Sequence, residues 1–325
     1  MNIRKAFLTL LFLGLSVADL QAQTRVKVPR IGLVMSGSEA SSRGYLQSLI
    51  QGLSRLGLTD GKNVLIEARY ANGQVDQLDV IAAEVARSGV DIMFAGGDQG
   101  AWAAKRATHT IPIVAVTCDA LAAGLVTNLA RPGENLTGVT CINRDLAAKR
   151  VALMKETVPS LSRLGVVLNQ GDRRMVSEAA ETERAGKAYS MAVERMQVAK
   201  PEEIEIVLSK APRDGVEGVI VVFDSMTFFH RAKLAEAAIR ARIPTIFNFR
   251  QYVEAGGLLS YGPNLGEMYG QAARPIQKIL NGERPGEIPM EQPTRFELVV
   301  NLKTAAALGV TIPESLLLRA DEVIR

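Results

Sequence analysis

The alternation of short apolar runs with amphipathic helical patterns constrains the fold of this chain more than any other feature. The run Arg30–Met35 opens the series, and a helical pattern from about Arg43 to Leu56 follows it. Continuous apolar runs of this length are typical of parallel strands that are buried on both faces of a sheet. Strands that alternate with helices of about 10–15 residues predict βαβ units with right-handed crossovers.

This alternation passes along the chain twice, which indicates two structural units. It pauses after a strand predicted to end at Ile142 and begins again with a helix from about Asp145 to Thr157. A chain of 325 residues also exceeds what one hydrophobic core usually holds. The sequence therefore predicts an α/β protein of two Rossmann-like lobes, each built on a parallel sheet.

The first 22 residues have the pattern of a secretory signal peptide. Arg4 and Lys5 form a basic start, and the apolar stretch Ala6–Val17 follows them. This stretch is too short to cross about 30 Å of hydrocarbon as a helix. We expect cleavage after Ala22 or, as the second choice, after Ala18; the alternative is a buried N-terminal helix. No Cys follows these sites until Cys118, so we expect no lipid anchor.

Composition and motifs argue against several classes of protein. The formal net charge is +4 and the basic residues are scattered, which does not favour nucleic-acid binding. No Walker A or GxGxxG sequence is present, and Gly257–Gly262 misses the GxSxG nucleophile motif by one position. We therefore expect no enzymatic activity and no cofactor.

The two cysteines leave an alternative open. Cys118 and Cys141 each fall near the end of a predicted strand, and an oxidising compartment would permit a disulfide between them. The other interpretation is two buried thiols that pack as small apolar residues. Two Cys and two His without CxxC or HxxxH spacing do not predict a metal site.

Ligands of open parallel sheets bind outside the carboxyl ends of the strands, so the loops after the strands are the predicted site. The candidate ligand-binding residues in or beside these loops are Ser36, Ser38, Gly97, Asp98, Gln99, Thr117, Asp119, Asn169, Asp224, Thr227, Asn248 and Tyr261. Each polar residue of this set could instead stabilise its own loop or cap a helix. For Asp98, Asp119 and Asp224, helix capping and ligand contact both remain open, and Tyr261 could line the cleft or pack at a hinge.

Two segments carry a resemblance to a known family. They are Gly124–Gly138, with the sequence GLVTNLARPGENLTG, and Gln292–Ala305, with the sequence QPTRFELVVNLKTA. Both resemble the ABC-transporter substrate-binding proteins with the type I periplasmic-binding fold, in the group that includes binders of aromatic amino acids. The resemblance extends over about Arg30 to Ile324 and identifies the scaffold better than the ligand.

The resemblance implies two discontinuous lobes and a hinge. The N-terminal lobe would contain residues 30–142 and 262–284, and the C-terminal lobe residues 143–261 and 285–325. A three-stranded hinge would cross near Ile142–Asn143, Tyr261–Gly262 and Arg284–Pro285, where rotation would close the lobes around a ligand.

The function that this resemblance implies is delivery of a small polar ligand, with an amino acid or a related compound as candidates. The protein would be a periplasmic monomer without a lipid anchor, and its partner would be an ABC permease with its ATPase. The alternatives are a binding module read by a sensor kinase or chemoreceptor, and an exported enzyme on a similar scaffold.

The chain departs from the family pattern at one expected ligand contact. Family members usually have Thr or Ser after the third strand, where the first N–H groups of a helix can receive a ligand carboxylate. This chain has Gly96, Gly97, Asp98 and Gln99 there. Because the carboxylate of Asp98 could occupy those donors itself, we expect a cationic or neutral polar ligand to fit better than an amino-acid carboxylate.

Overall fold

The computed structural model describes residues 27–325, which form two α/β lobes, each built on its own sheet. The predicted signal peptide, residues 1–22, lies outside the described residues. Within residues 27–325, no helix has both the length and the hydropathy that crossing a bilayer requires. The prediction of two Rossmann-like lobes is confirmed.

The first lobe contains a five-stranded parallel sheet with the order β2-β1-β3-β4-β5. Its strands are β1 Arg30–Met35, β2 Leu65–Tyr70, β3 Ile92–Gly96, β4 Ile113–Thr117 and β5 Leu136–Thr140. Every residue of β3, β4 and β5 is buried, which explains the continuous apolar runs of β3 and β4. Strand β2 lies at an edge and is partly exposed.

The second lobe contains a seven-stranded sheet with the order β12-β11-β10-β9-β8-β6-β7. Its strands are β6 Arg163–Leu168, β7 Ala192–Gln197, β8 Gly218–Val221, β9 Thr245–Phe247, β10 Leu259–Gly262, β11 Glu297–Asn301 and β12 Glu322–Ile324. Strands β10 and β11 pair antiparallel, and the other pairs are parallel.

Helices follow most strands of both lobes. They are α1 Glu39–Arg55, α2 Leu78–Arg87, α3 Asp98–Ala107, α4 Ala147–Thr157, α5 Arg173–Ala188, α6 Glu203–Lys210, α7 Ser225–Phe229, α8 Arg231–Arg240, α9 Arg250–Glu254, α10 Leu265–Gln271, α11 Ala273–Leu280, α12 Leu302–Leu308 and α13 Glu314–Leu317. Short 3₁₀ turns cover Val75–Gln77 and Pro285–Glu287. The segment 119–129, for which we predict a helix, consists of turns instead, because Gly124 adopts a φ of +72° and interrupts any helical run.

The first sheet has a hydrophobic core on each face. Ile31 and Leu33 of β1 belong to a cluster that includes Leu49 of α1 and Ile276 of α11. Val34 of β1 belongs to a second cluster, formed with residues of α2 and α3. Alternate side chains of one strand therefore pack in the hydrophobic clusters on opposite faces of the sheet, as expected for a sheet covered on both sides.

After β10 the chain returns to the first lobe, where α10 lies against α1. Gly52 makes this approach possible, since a Cβ at that position would lie 2.3 Å from the carbonyl oxygen of Gly270. Gln277 of α11 also donates to the carbonyl of Leu56 at 2.8 Å. These contacts place α10 and α11 beside the first sheet.

The predicted lobe boundary at residue 285 is wrong for the segment that follows α11, because this segment lies along β5 of the first lobe. Glu291 forms a parallel bridge with Val139 of β5, and Met290 N donates to the carbonyl of Leu129 at 2.8 Å. Thr137 of β5 donates to the carbonyl of Ile288 at 2.8 Å. Residues 285–291 thus satisfy backbone groups along the β5 edge, and the chain reaches the second sheet only between Glu291 and β11.

The two cysteines are buried free thiols. They follow the neighbouring strands β4 and β5, and Cys141 Sγ donates to the carbonyl of Cys118 at 3.3 Å. Burial raises the pKa of the Cys118 thiol, with the neighbouring Cys141 acting in the same direction. Of the two sequence-based interpretations, the structure realises the buried thiols and not the disulfide.

Gly138→Ala tests the register of β4 and β5. Gly138 has a φ of +146°, and a Cβ there would lie 1.9 Å from the carbonyl oxygen of Ala115. We expect the free energy of unfolding to fall by about 3 kcal/mol, measured by urea denaturation. Gly44→Ala is the matched control, because a Cβ at this position in α1 meets nothing within 4 Å; it should raise stability by roughly 0.5–1 kcal/mol. Equal stability of Gly138→Ala and the parent protein would contradict this register.

Candidate functional site

A cavity lies between the two lobes and is lined by residues of both. Its first-lobe wall comes from the loop after β1, helix α1, the loop after β3 and helix α10. Its second-lobe wall comes from the end of β8, helix α7 and the start of α8. The lining residues are Met35, Ser36, Gly37, Ser41, Ser42, Tyr45, Gly96, Gly97, Val116, Cys118, Phe223, Ser225, Phe228, Phe229, Arg231, Leu265 and Tyr269.

Five aromatic side chains give this cavity an apolar interior. Tyr45 and Tyr269 of the first lobe stack with ring centroids 5.1 Å apart, and Phe223 and Phe228 of the second lobe meet edge to face at 5.5 Å. Tyr45 and Phe228 face each other across the cleft at 6.5 Å, and Phe229 completes the set. Burial raises the pKa of both tyrosines above the ordinary value, so their hydroxyls are neutral.

The polar part of the lining consists of serine hydroxyls and one guanidinium. Ser36 Oγ donates to the carbonyl of Gly96 at 3.1 Å. Arg231 Nη1 donates to the carbonyl of Phe228 at 2.9 Å, and its guanidinium lies 5.1 Å from the centre of the Phe228 ring. Ser225 follows β8 and approaches Gly97 of the opposite lobe, since a Cβ at Gly97 would lie 3.6 Å from Ser225 Oγ.

Of the predicted candidates, Ser36 and Gly97 line the cavity. Three others stabilise their own loops or helices. Ser38 caps α1 by accepting from Ser41 N at 3.2 Å. Asn169 accepts from Gly171 N at 3.0 Å, and Asp119 accepts from Ala122 N at 2.9 Å. These bonds correspond to the loop-stabilising alternatives that the sequence leaves open.

Asp224 and Thr227 form a capping box at the start of α7. Asp224 Oδ1 accepts from Thr227 N at 2.6 Å, and Thr227 Oγ1 lies 3.0 Å from Tyr252 Oη. Burial raises the pKa of the Asp224 carboxyl, whereas its hydrogen bonds with Thr227 act in the opposite direction. Neither residue belongs to the cavity lining.

The remaining candidates are not among the lining residues of the cavity. The side-chain oxygens of Gln99 and Thr117 are buried and have no hydrogen-bond partner within residues 27–325. Asn248 Nδ2 donates to Glu178 Oε1 at 2.9 Å. Tyr261 packs beside Phe296, with ring centroids 6.3 Å apart.

Asp98 joins the two lobes through an ion pair. Its Oδ2 lies 3.0 Å from Nε of Arg174, at the start of α5 in the second lobe, and its Oδ1 accepts from Cys118 N at 2.9 Å. Asp98 is 8% exposed and Arg174 4% exposed. Burial alone would lower the pKa of Arg174, but the charges of Asp98 and Asp172 raise it above its ordinary value. Burial raises the pKa of the Asp98 carboxyl, whereas the charge of Arg174 and the hydrogen bond from Cys118 N act in the opposite direction. The two side chains form a buried ion pair between the lobes.

This ion pair changes the electrostatic argument made from the sequence. Asp98 is the first residue of α3 and does not cap it, since Gly97 occupies the capping position with a φ of +86° and no side-chain cap is formed. The carboxylate points to Arg174 and not to the N–H groups of its own helix. Because Arg174 neutralises this charge, the expectation of a cationic ligand loses its basis.

A second buried ion pair lies where two hinge crossings are expected. Arg150 of α4 is fully buried and lies 2.6 Å from Glu178 of α5. Its guanidinium also donates to the carbonyls of Asn143 and Tyr261, the latter at 3.2 Å. Asn143 and Tyr261 belong to the two crossing segments, so one side chain fixes both against the second lobe.

Sequence reasoning misses the aromatic lining and both buried arginines. The strand-end rule finds loops, whereas Tyr45 and Tyr269 project from the middle of helices α1 and α10. For the adjacent pair Phe228–Phe229, close behind the end of β8, the sequence favours anchoring of a helix in the core over ligand contact, whereas both residues line the cavity. Within residues 27–325, no three His, Cys, Asp or Glu side chains gather closely enough to hold a metal ion.

The comparison with protein families decides the identity of this scaffold. A sequence model described as ABC transporter substrate binding protein matches residues 27–324. The chain belongs to this family. The cleft between the lobes of this substrate-binding protein is therefore its candidate ligand site.

Individual relatives and solved structures share this scaffold. A tyrosine-binding protein of Clostridioides difficile strain R20291 is 25% identical over 287 residues, which is 87% of this chain and 82% of the relative. The solved structure of a conserved domain protein from Vibrio cholerae has a TM-score of 0.85 at 26% identity and covers 91% of this chain and 100% of that one. An ABC domain from Streptococcus pneumonia, solved in complex with L-Trp, has a TM-score of 0.84 at 24% identity and covers 91% and 99%.

Asp98→Asn tests whether the Asp98–Arg174 pair holds the lobes together. Removing one partner of a buried pair costs about 3–5 kcal/mol when the other charge is left without compensation. Arg174 keeps its pair with Asp172 of the same lobe, so we expect a loss below that range. Since the partners lie in different lobes, the substitution should destabilise the closed arrangement relative to one in which the lobes are apart. We expect a larger radius of gyration of the ligand-free protein by small-angle X-ray scattering.

Asp79→Asn is the control for this change. Asp79 forms an exposed ion pair with Arg106 inside the first lobe, and exposed pairs contribute about 0–1 kcal/mol. The control should leave the radius of gyration unchanged. A radius for Asp98→Asn equal to that of the parent protein would show that the pair does not govern closure.

Proposed function

We propose that this substrate-binding protein holds a small molecule with an aromatic or large apolar body in the inter-lobe cavity. The observation that carries the proposal is the presence of rings from both lobes around one cavity. Aromatic contacts stabilise a ring by about 0.5–1.5 kcal/mol beyond the burial of its area. The relatives support the same ligand class, since one is a tyrosine-binding protein and another was solved with L-Trp.

The protein would deliver its ligand to an ABC permease and its ATPase. Binding would be non-covalent and without turnover, and the protein would act as a monomer. Support comes from the family and from the bilobal architecture, in which closure around a ligand gives the filled and empty forms different shapes. A permease can then distinguish a loaded receptor from an empty one.

The proposed site of action is the periplasm, reached through the signal peptide in residues 1–22. The basic start at Arg4 and Lys5 and the apolar stretch Ala6–Val17 support export.

Phe229→Ala tests the aromatic cavity. Phe229 lines the cavity and is partly exposed, so its removal should reduce ligand contact without opening a buried core. In calorimetric titrations we expect L-tyrosine, L-tryptophan or their amine-free acids to bind the parent protein. The variant should bind the same compound at least about tenfold more weakly, a difference of about 1.4 kcal/mol.

The control is Tyr189→Ala, because Tyr189 is 44% exposed and lies at the end of α5, outside the cavity lining. It should bind as the parent protein does. Binding of D-arabinose or allitol in place of every aromatic compound would overturn the proposed ligand class.

A fusion of residues 1–22 and the following ten residues to a β-lactamase without its own signal tests export. We expect the fusion to confer ampicillin resistance, because the lactamase acts only outside the cytoplasm. A fusion in which Arg4 and Lys5 are both replaced by Glu is the control and should lower resistance, because the basic start is required. Resistance equal to that of a fusion without residues 1–22 would contradict the proposal.

A further inference from the structure

The side chains that line the inter-lobe cavity carry a positive charge that no negative charge of the described lining balances. Within residues 27–325, Arg231 is the one charged side chain that lines it; the others are apolar residues, glycines, serines and tyrosines. No carboxylate contributes to the lining of the described structure. A ligand in this cavity therefore meets a positive charge and no negative counterpart.

Arg231 is placed to accept an anion. It forms no ion pair with an acidic side chain of residues 27–325, whereas the buried Arg150 and Arg174 are each paired. The carbonyl of Phe228 accepts from its Nη1, and its position over the Phe228 ring orients the guanidinium plane. A guanidinium with free N–H groups can donate two parallel hydrogen bonds to the oxygens of a carboxylate, as it can to those of a phosphate.

The acidic side chains closest in sequence to the lining are engaged elsewhere. Asp98 follows the lining residue Gly97, but its carboxylate pairs with Arg174 and accepts from Cys118 N. Asp224 lies between Phe223 and Ser225, but its Oδ1 caps α7. An ammonium group entering the cavity would lose its water without gaining a carboxylate, which is unfavourable.

We propose that the cavity selects an aromatic monocarboxylate that lacks an α-ammonium group, such as an arylalkanoate, over the corresponding amino acid. The ring of the ligand lies among the five aromatic side chains, and its carboxylate pairs with Arg231. This inference rests on the proposed function and specifies the ligand class of the same site.

Matched ligands test the inference directly. Calorimetric titration compares 3-phenylpropanoate with L-phenylalanine, 3-phenylpropanamide and 2-phenylethylamine, which differ in the ammonium, the carboxylate or both. The pair 3-(indol-3-yl)propanoate and L-tryptophan repeats the comparison with a larger ring. We expect each acid to bind at least about tenfold more tightly than its amino acid, and the amine to bind most weakly.

The outcomes separate this inference from the function on which it rests. If an amino acid binds as tightly as its amine-free acid, the ligand class proposed here is wrong and the aromatic receptor stands. If none of the aromatic compounds binds, both proposals fail.

Arg231→Gln tests the role of the guanidinium. The affinity for 3-phenylpropanoate should fall at least about tenfold, while the affinity for the uncharged 3-phenylpropanamide should change less than about threefold. Arg240→Gln is the matched control on the same helix, since Arg240 is exposed and pairs with Glu205 and Glu236. It should leave both affinities unchanged.

Equal losses for the acid and the amide in Arg231→Gln would show that Arg231 only supports the wall of the cavity, and would overturn its assignment as the carboxylate partner. A thermal melt followed by circular dichroism establishes that each variant is folded before titration.

Discussion

Four buried charges of alternating sign connect the cleft to the hinge, and the arrangement of the two lobes depends on them. Asp98 of the first lobe pairs with Arg174 of α5, Glu178 lies one turn further along α5, and Arg150 joins Glu178 to the hinge carbonyls. All four are more than nine-tenths buried. Charges in a low-dielectric interior interact strongly but are costly to desolvate, so such a set is tolerated only when every member is paired. Any motion that separates the lobes at Asp98 breaks this pair and leaves Arg174 with Asp172 of its own lobe as its acidic partner. The closed form and the hinge geometry are therefore stabilised by one connected set of groups.

The apolar side chains of the cleft act together with these charges. One hydrophobic cluster contains Phe94 of the first sheet together with Phe223 and Phe247 of the second lobe, so the walls of the cleft pack on each other as parts of one core. Opening the cleft exposes this surface to water, which is unfavourable by about 25 cal/mol per Å². A ligand with an aromatic ring can take the place of the contacts that the wall rings make with each other, so the apolar surface stays buried. A small sugar-like ligand would leave part of that surface without an apolar partner. The polarity of the wall thus favours an aromatic body before any charge is considered.

The sequence predicts the strands and helices well because a continuous apolar run is a strong local signal, and the fold buries such runs on both faces of a sheet. Arg30–Met35 is predicted as a strand and forms β1 with the same bounds. A run that is apolar on both faces is stable as a strand in a sheet that helices cover on both sides. Local patterns are weaker where one residue overrides them, as Gly124 does in the segment predicted as a helix. Local patterns also cannot predict pairs such as Asp98 and Arg174. These two residues lie 76 positions apart and meet only after both lobes have formed. Ser36 and Gly97 of the candidate site follow from the position of strand ends, whereas the aromatic lining depends on how the lobes face each other.

Ligand choice in such a scaffold depends on charge pairing outside the cavity as much as on the residues that line it. A carboxylate at position 98 would favour a cationic ligand if it faced the cleft alone, but Arg174 turns it into a structural element. Among the described residues, Arg231 is then the charged side chain of the lining, and the ligand that we propose is an anion instead of a cation. Specificity is a difference between affinities, so the absence of a partner for an ammonium contributes as much as the presence of one for a carboxylate. Family membership therefore identifies the bilobal receptor, while the proposed charge of its ligand follows from Arg231 in the lining and from the pairing of Asp98 with Arg174.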